Sequence, residues 1–370
     1  MREFIGQQFI IGLSGEELLP EEEQFIVENN IGGVILFDRN LKSVEQTHKL
    51  ITDIQQLRYK LPEKMPLFVS VDMEGGRVHR LKEPFTKWPA AKNLGDIDSS
   101  SIAFQFTQLM GRELKAMGFN LDYAPCVDVL TNKDNEVIGD RSLSSDPEKV
   151  SKLSSAMVRG YIKSDVLACA KHFPGHGYTS VDSHFDLPVD ERNLKELEDH
   201  GDLEPFKKVI KARVDMIMTA HIKFPNIDPQ FPVTISPLFI NQFLKGALRY
   251  RGIIITDDLD MKALTKHFPK EELPVLALQA GAHMLLYCNE PNSPVRAVKS
   301  VAKALSEGAI DKEVIQENYQ TILKLKTKKL KDPVEPFSIE KAKDIIGRKE
   351  HLEFAEAVAT QKVEKFLTKE

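Results

Sequence analysis

Residues 171–188, KHFPGHGYTSVDSHFDLP, concentrate groups that can move protons or bind ligands: Lys171, His172, His176, Asp182, His184 and Asp186. They sit among glycines, a proline and small polar residues. An apolar run at 166–170 precedes them and reads as a buried strand emptying into a long polar loop, where α/β proteins keep their chemistry. Asp182 and His184 are the sharpest pair. Two residues apart on an extended segment, their side chains project to the same side. There the carboxylate fixes the imidazole tautomer and raises its basicity, which leaves the other ring nitrogen to give and take a proton near neutral pH. The plainer alternative is a turn built on Asp182, with His184 incidental.

The elements that must position this loop alternate along the chain. Strand candidates fall at 8–12, 33–37, 67–71, 121–124, 166–171, 216–220, 252–256 and 284–287, most of them apolar almost throughout, as parallel strands covered on both faces are. Amphipathic stretches at 43–59, 102–117, 147–164, 193–213 and 270–280 lie between them. Eight strands, most followed by a helix, in roughly 290 residues predict a (β/α)8 barrel. A doubly wound open sheet is the alternative, but no G-x-G-x-x-G follows the first strand. After Pro291 the pattern turns helical at 293–307 and 311–325, a Lys-rich stretch follows at 326–330, and 332–370 reads as one or two helices on the barrel's outside. A catalytic domain over 1–330 with a helical extension over 331–370 is the expected organisation.

On a barrel the catalytic face lies at the C-terminal strand ends. Asp72 ends the third strand in VDMEGGR, where a turn role before Gly75–Gly76 is the alternative; Arg77 and His79 read equally well as ordinary loop residues. The fourth strand runs through Tyr123, Pro125 and Asp128 to IGDRSLSSDP with Arg141, which reads either as a site group or as a surface ion pair. The fifth gives Lys171 and His172, and the sixth ends at His221, a site residue or a satisfied structural histidine. The seventh ends in Asp257 and Asp258, of which Asp258 suits a cap for the following helix and Asp257 a functional role; Asn289 and Glu290 follow the eighth. The set describes a polar pocket suited to a polyhydroxylated ligand.

Composition bounds the partners. The chain has 370 residues, is 42% hydrophobic and carries a net charge of −5, with no dense Lys/Arg blocks, which argues against nucleic acid or anionic membrane. Cys126, Cys169 and Cys288 sit in apolar runs without metal-type spacing and read as buried thiols in a reducing compartment. The opening MREFIGQQFIIGLSGEE has an apolar run too short for a secretory signal, and no stretch approaches the roughly 20 apolar residues that span a bilayer. A soluble cytoplasmic protein is expected.

KHFPGHG…DSH, together with VDMEGGRVHR, IGDRSLSSDP, TAHIKFPNIDPQFPVTISP and TDDLDM, resembles glycoside hydrolase family 3, and within it the β-N-acetylglucosaminidase branch. The resemblance covers residues 1–310. It implies a (β/α)8 barrel and a retaining mechanism through a covalent glycosyl–enzyme intermediate, with no cofactor and no metal. The family's nucleophile falls on Asp257 and its acid/base pair on Asp182 and His184, carried by a mobile loop. Its N-acetylglucosamine-binding residues fall on Asp72, Arg141, Lys171 and His172. The substrate implied is a small-molecule glycoside with a terminal β-linked N-acetylglucosamine, and the cytoplasmic members of the branch act on anhydro-muropeptides in peptidoglycan recycling. These roles suit the residues: a retaining glycosidase needs a carboxylate under the anomeric carbon and a proton donor at the leaving oxygen.

The sequence departs from the family at two points. His283 in AGAHMLL stands where relatives usually carry an acid, and the chain has no room for the second α/β domain of longer relatives. Two rival readings remain. A metal-dependent barrel hydrolase would use His172, His176, His184, His221 and Asp257 as ligands, although no H-x-H follows the first strand. A catalytically silent amino-sugar-binding protein would keep the pocket without the chemistry.

Overall fold

The computed structural model describes residues 2–183, 185–332 and 334–367. Eight parallel strands close into a barrel: β1 (Phe9–Gly12), β2 (Gly33–Leu36), β3 (Phe68–Val71), β4 (Leu121–Asp122), β5 (Leu167–Phe173), β6 (Met216–Thr219), β7 (Ile253–Asp258) and β8 (Met284–Tyr287). Closure is made by β1, whose Ile10 lies opposite Leu286 of β8 on one side and Gly33 of β2 on the other. The expected (β/α)8 barrel is present, and the open sheet is excluded.

Alternation along the strands builds two cores. Ile10, Ile35, Phe68, Leu167, Cys169, Met216, Met218, Ile253, Ile255, Met284 and Leu286 belong to the cluster that fills the barrel. Their strand neighbours Phe9, Ile11, Val34, Val69, Ala168, Ile217, Ile254 and Leu285 face the surrounding helices. Both faces of each strand are therefore buried, which is why the runs read as uniformly apolar. All three cysteines are buried, unpaired thiols.

The N-terminal end of the barrel is closed by the helix Lys312–Lys329, longer than its predicted span because it absorbs the Lys-rich stretch. Ile322 and Leu330 join the interior cluster. Lys326 is fully buried between them, donating to Gln7 Oε1 and Gly32 O at 2.8 Å each; burial pulls its pKa down to about 7. At the same end, the residue before a strand repeatedly accepts the first free N–H of its neighbour. Asn120 takes Val69 N (2.9 Å), Asp215 takes Ala168 N (3.4 Å) and His283 Nδ1 takes Ile254 N (2.9 Å). His283 therefore does what an acid at that place would do, as a neutral imidazole whose pKa burial lowers to about 3. It lies on the opposite end of the barrel from the loops described below.

The predicted helix at 193–213 is two helices, Leu194–Asp199 and Glu204–Lys211, because Gly201 turns left-handed (φ 79°) and Pro205 opens the second. The sequence pattern also left out the acidic helix Pro20–Asn29 between β1 and β2. Beyond Leu330, helices Ile339–Ile345 and Lys349–Ala359 pack outside the barrel. Buried Glu113 fastens them, accepting His351 Nδ1 at 2.8 Å and Gly347 N at 2.9 Å. No helix of the described residues is long and apolar enough to cross a membrane.

Candidate active site

A cleft of about 360 Å³ opens at the C-terminal strand ends, lined among others by Asp72, Glu74, Arg80, Arg141, Lys171, His172, Asp257 and Asp258. Its wall begins with the hairpin after β3, in which Met73–Gly75 pairs with Val78–His79. Gly75 (φ 91°) makes the turn, and a Cβ there would meet Pro89 O at 2.3 Å. That turn sets Glu74 into the cleft wall. Arg141 holds it with a two-pronged contact, Nε to Oε2 and an Nη to Oε1, both 2.8 Å. Lys171 Nζ reaches Glu74 Oε1 and Asp72 Oδ1, both at 2.7 Å. Burial alone would raise the Glu74 carboxyl pKa, but the two cations outweigh it and hold it well below the usual range. Burial likewise opposes charge on Lys171, and Asp72 and Glu74 overcome it. Arg141 is thus a largely buried partner in a network, not a surface ion pair. Its short helical turn, Gly139–Arg141, is held by Arg77 against Asp140 (3.1 Å) and the carbonyls of Glu136 and Val137, so Arg77 positions Arg141.

A second carboxylate organises β5. Asp128 is fully buried and accepts His172 N (3.1 Å), His172 Nδ1 (2.7 Å), His176 N (2.7 Å) and Cys126 Sγ (3.2 Å). Burial raises its pKa and the two histidines reverse this, leaving it ionised. Because Asp128 can only accept, His172 Nδ1 carries the proton, and Nε2 lies 3.5 Å from an Arg141 Nη. His176 is pushed down to about 4 by burial and by His172, so it is neutral; its Nδ1 pairs with Thr179 Oγ1 at 2.7 Å. Gly177 crosses beneath, where a Cβ would meet Val129 O at 1.8 Å.

Asp257 ends β7 in the cleft, its Oδ1 accepting Asp258 N at 2.8 Å. Burial raises its pKa, but His221, His172, that N–H and Lys171 together hold it below the ordinary value. Asp258 goes the other way. Burial and the nearby Asp260 and Asp257 charges lift it to about 7. It does not cap the next helix: Met261 is the N-cap of Lys262–Thr265, while Asp258 Oδ1 accepts Asp260 N (3.1 Å) and Cys288 N (3.3 Å), tying the turn to the end of β8. Both nitrogens of His221 have partners, Nδ1 with Thr234 Oγ1 (2.7 Å) and Nε2 with Asp258 O (2.9 Å), so His221 braces β7.

The structure corrects one geometric expectation. Residues around Asp182 are not extended: Asp182 O accepts Phe185 N (2.9 Å) and Asp186 N (3.1 Å), which closes a turn. Asp-Ser sequences favour such turns through local hydrogen bonds. His184 lies outside the described residues. The ligand set of the metal reading is not assembled among the described residues, where the one cluster with ligand spacing is Cys126, Asp128 and His172, all already hydrogen-bonded to one another through Asp128.

Residues 3–325 match the glycosyl hydrolase family 3 N-terminal domain. The chain belongs to glycosyl hydrolase family 3. A β-hexosaminidase of Hydrogenovibrio crunogenus is 38% identical over 302 residues, covering 79% of this chain and 82% of that protein. A family 3 β-N-acetylglucosaminidase from Paenibacillus sp. str. FPU-7 superposes with a TM-score of 0.89 at 32% identity, over 97% of this chain and 68% of its own. NagZ from Neisseria gonorrhoeae, solved with N-trifluoroacetyl-D-glucosamine, gives a TM-score of 0.77 at 30% identity, over 95% of this chain and 97% of its own.

Asp72, Arg141, Lys171, His172 and Asp257 of this family 3 barrel all line the one cleft. Glu74, Asp128 and Arg80 were missed by the sequence reading. For Glu74 a signal existed, since it lies two residues after Asp72 and two expected cations, Lys171 and Arg141, needed more than one carboxylate. In the sequence Asp128 stands out only as part of its strand. Arg80 gives none beyond its place in the motif; its buried Nε has no hydrogen-bond partner among the described residues, and its guanidinium lies 5.7 Å from the Phe37 ring.

Proposed function

We propose that this family 3 protein is a retaining exo-β-N-acetylglucosaminidase, a β-hexosaminidase that hydrolyses terminal β-linked N-acetylglucosamine. Support comes chiefly from Asp257, an ionised carboxylate at the end of β7 facing a cleft walled by the Asp72–Lys171–Glu74–Arg141 network. Similarity to a β-hexosaminidase and to a protein bound to an N-acylated glucosamine supports the amino-sugar substrate.

In this reading Asp257 Oδ1 stays on the Asp258 N–H and Oδ2 attacks the anomeric carbon. The bond from that carbon to the leaving oxygen breaks, and His184, oriented by Asp182, gives the oxygen its proton. Water then attacks the glycosyl–Asp257 ester, His184 takes its proton back, and the sugar leaves with its β configuration. Asp72, Arg141, Lys171 and His172 hold the sugar's polar groups so that attack is in line. The role fits turnover of muropeptides in the cytoplasm, with the three buried thiols consistent with a reducing compartment.

The test is release of nitrophenol from its N-acetyl-β-glucosaminide, with the β-glucoside as control and with a strong chelator in parallel. Turnover of the acetylated sugar alone, indifferent to chelator, with β product by NMR, is expected. Asp257→Ala should abolish turnover while sugar binding, read by calorimetry, persists; binding without turnover in the unmodified protein would instead identify a silent sugar-binding protein. Chelator-sensitive activity would revive the metal reading, and faster turnover in phosphate with release of a sugar 1-phosphate would make the enzyme a phosphorylase.

A further inference from the structure

The loop that carries Asp182 and His184 is held from two sides. At its base, Arg192 grips Asp190 and Asp202 (2.7 and 2.8 Å) and lies 4.0 Å from the centroid of the Tyr178 ring. Nearer its tip, apart from Ser183 Oγ, which lies 3.4 Å from His176 Nε2, the loop turns to one short segment. Ser183 O accepts Ala263 N at 3.1 Å. Asp186 Oδ2 pairs with Lys266 Nζ, and Oδ1 with His267 Nε2, both at 2.9 Å. The Phe185 ring, 65% exposed, lies 5.9 Å from Lys262 Nζ. These contacts bracket His184 in sequence at 183 and 185–186. Residues 262–267 begin just beyond the short turn that ends β7, the strand that carries Asp257.

The clamp on Asp186 connects to Asp182 through the backbone, since the Asp186 N–H donates to Asp182 O in the same turn. Side chains of Asp186, Lys266 and His267 are about half exposed, and pairs of that kind add little to global stability. A group that must deliver a proton within hydrogen-bond reach is far more sensitive to placement.

We propose that Asp186, clamped by Lys266 and His267, is a positioning residue for proton transfer: it holds the turn closed on the Asp182 carbonyl in register with the strand that carries Asp257. The inference rests on the reading of Asp182 and His184 as the acid/base pair. Lys266 and His267 thereby serve the reaction without touching the substrate.

The signature is the dependence of rate on leaving group. An acidic phenol departs without protonation, whereas a poorer one needs the donor, so a displaced donor steepens the dependence. We would measure kcat/KM for aryl N-acetyl-β-glucosaminides from dinitrophenyl to unsubstituted phenyl, in the full-length protein, for Asp186→Asn, the double variant Lys266→Met/His267→Gln, and His184→Ala. Expected are rates within about twofold of the parent for the dinitrophenyl glycoside and a loss of roughly tenfold for the phenyl one in both clamp variants, with unchanged melting temperature. Salt at about 0.5 M should reproduce the phenyl-specific loss in the parent and add nothing in Asp186→Asn. A steep dependence in His184→Ala beside a parental one in both clamp variants would overturn the clamp and leave the acid/base reading standing. A parental dependence in His184→Ala would overturn the acid/base reading and the clamp with it.

Discussion

Glu74→Gln is the substitution that most directly tests the charge network of the cleft. The parent carboxylate accepts three charge-assisted contacts, two from Arg141 at 2.8 Å and one from Lys171 at 2.7 Å, with the Glu74 side chain only 3% exposed. The amide keeps one acceptor and turns an NH2 toward a cation. Arg141 then loses its only carboxylate among the described ion pairs, and Lys171 keeps Asp72 alone. Removing one partner of a buried pair costs about 3–5 kcal/mol, because the cation left behind stays desolvated. For a 370-residue chain unfolding with an entropy near 2.1 cal/mol/K per residue, that is a melting-temperature drop of about 4–6 °C. Both cations also hold the sugar in the proposed function, and a displacement of about 1 Å costs roughly 10²-fold in kcat/KM. Calorimetry and nitrophenyl-glycoside kinetics on the same preparation read both effects. Glu74→Asp, which keeps the charge but shortens the reach, should recover most of the stability and little of the rate. A Glu74→Gln protein melting within a degree of the parent with kcat/KM within threefold would refute the network as the organiser of the cleft.

Two further outcomes follow from other buried groups. Asp128→Asn removes the acceptor that fixes the His172 tautomer, and a loss of roughly 10²-fold in kcat/KM with the barrel's circular dichroism intact is expected; an unchanged rate would show that the tautomer does not matter. His283 is neutral in the fold with a pKa of about 3, while the unfolded chain protonates it below its ordinary value near 6.5. The unfolded state therefore binds the extra proton, and this residue's contribution to stability falls as pH drops from 7 to 5, by at most about 2 kcal/mol since part of the ring reaches the surface. His283→Gln, whose carbonyl can still accept Ile254 N–H, should flatten that part of the dependence; urea midpoints that fall in parallel for both proteins would rule it out.

The barrel was legible because its strands are buried on both faces: 284–287 was read without error and 216–220 to within one residue. Boundaries moved where side chains outside the strand decide them. At β5 the strand continues to Phe173, past the predicted end at Lys171, because Val127 N reaches Lys171 O at 2.8 Å and the chain after β4 runs alongside it. The helix Pro20–Asn29 was missed because three of its first four residues are glutamates and its buried face is reduced to Ile26, so little apolar periodicity was there to find. That Asp72, Lys171 and Asp257 line one cleft was legible from their position at strand ends. Asp128 was not, since its importance lies in collecting two backbone N–H groups, one from β5 and one from the loop after it, a relation that spacing in sequence does not encode. Lys326 is the counterpart at the barrel floor: a lysine in a Lys-rich run reads as solvated until the fold places it against Gln7 and Gly32.

The cleft holds its carboxylates in different states, and this supports Asp257 as the nucleophile of the proposed function. Glu74 is saturated by two cations, and Asp72 shares Lys171 at 2.7 Å; electron density held in such contacts is poorly available to carbon. Asp128 is fully buried and committed to four donors. Asp258, lifted to about 7 by burial and by its acidic neighbours, is half protonated near neutrality and occupied by two backbone N–H groups. Asp257 alone combines an ionised state, access to the cleft, and one accepted hydrogen bond among the described residues. Cations and imidazoles near enough to keep it charged, but not bonded to it, are what a carboxylate nucleophile needs. The paired acids beside it make this state possible: were Glu74 and Asp72 unneutralised, their charges would push the Asp257 pKa upward, as the Asp257 and Asp260 charges do for Asp258.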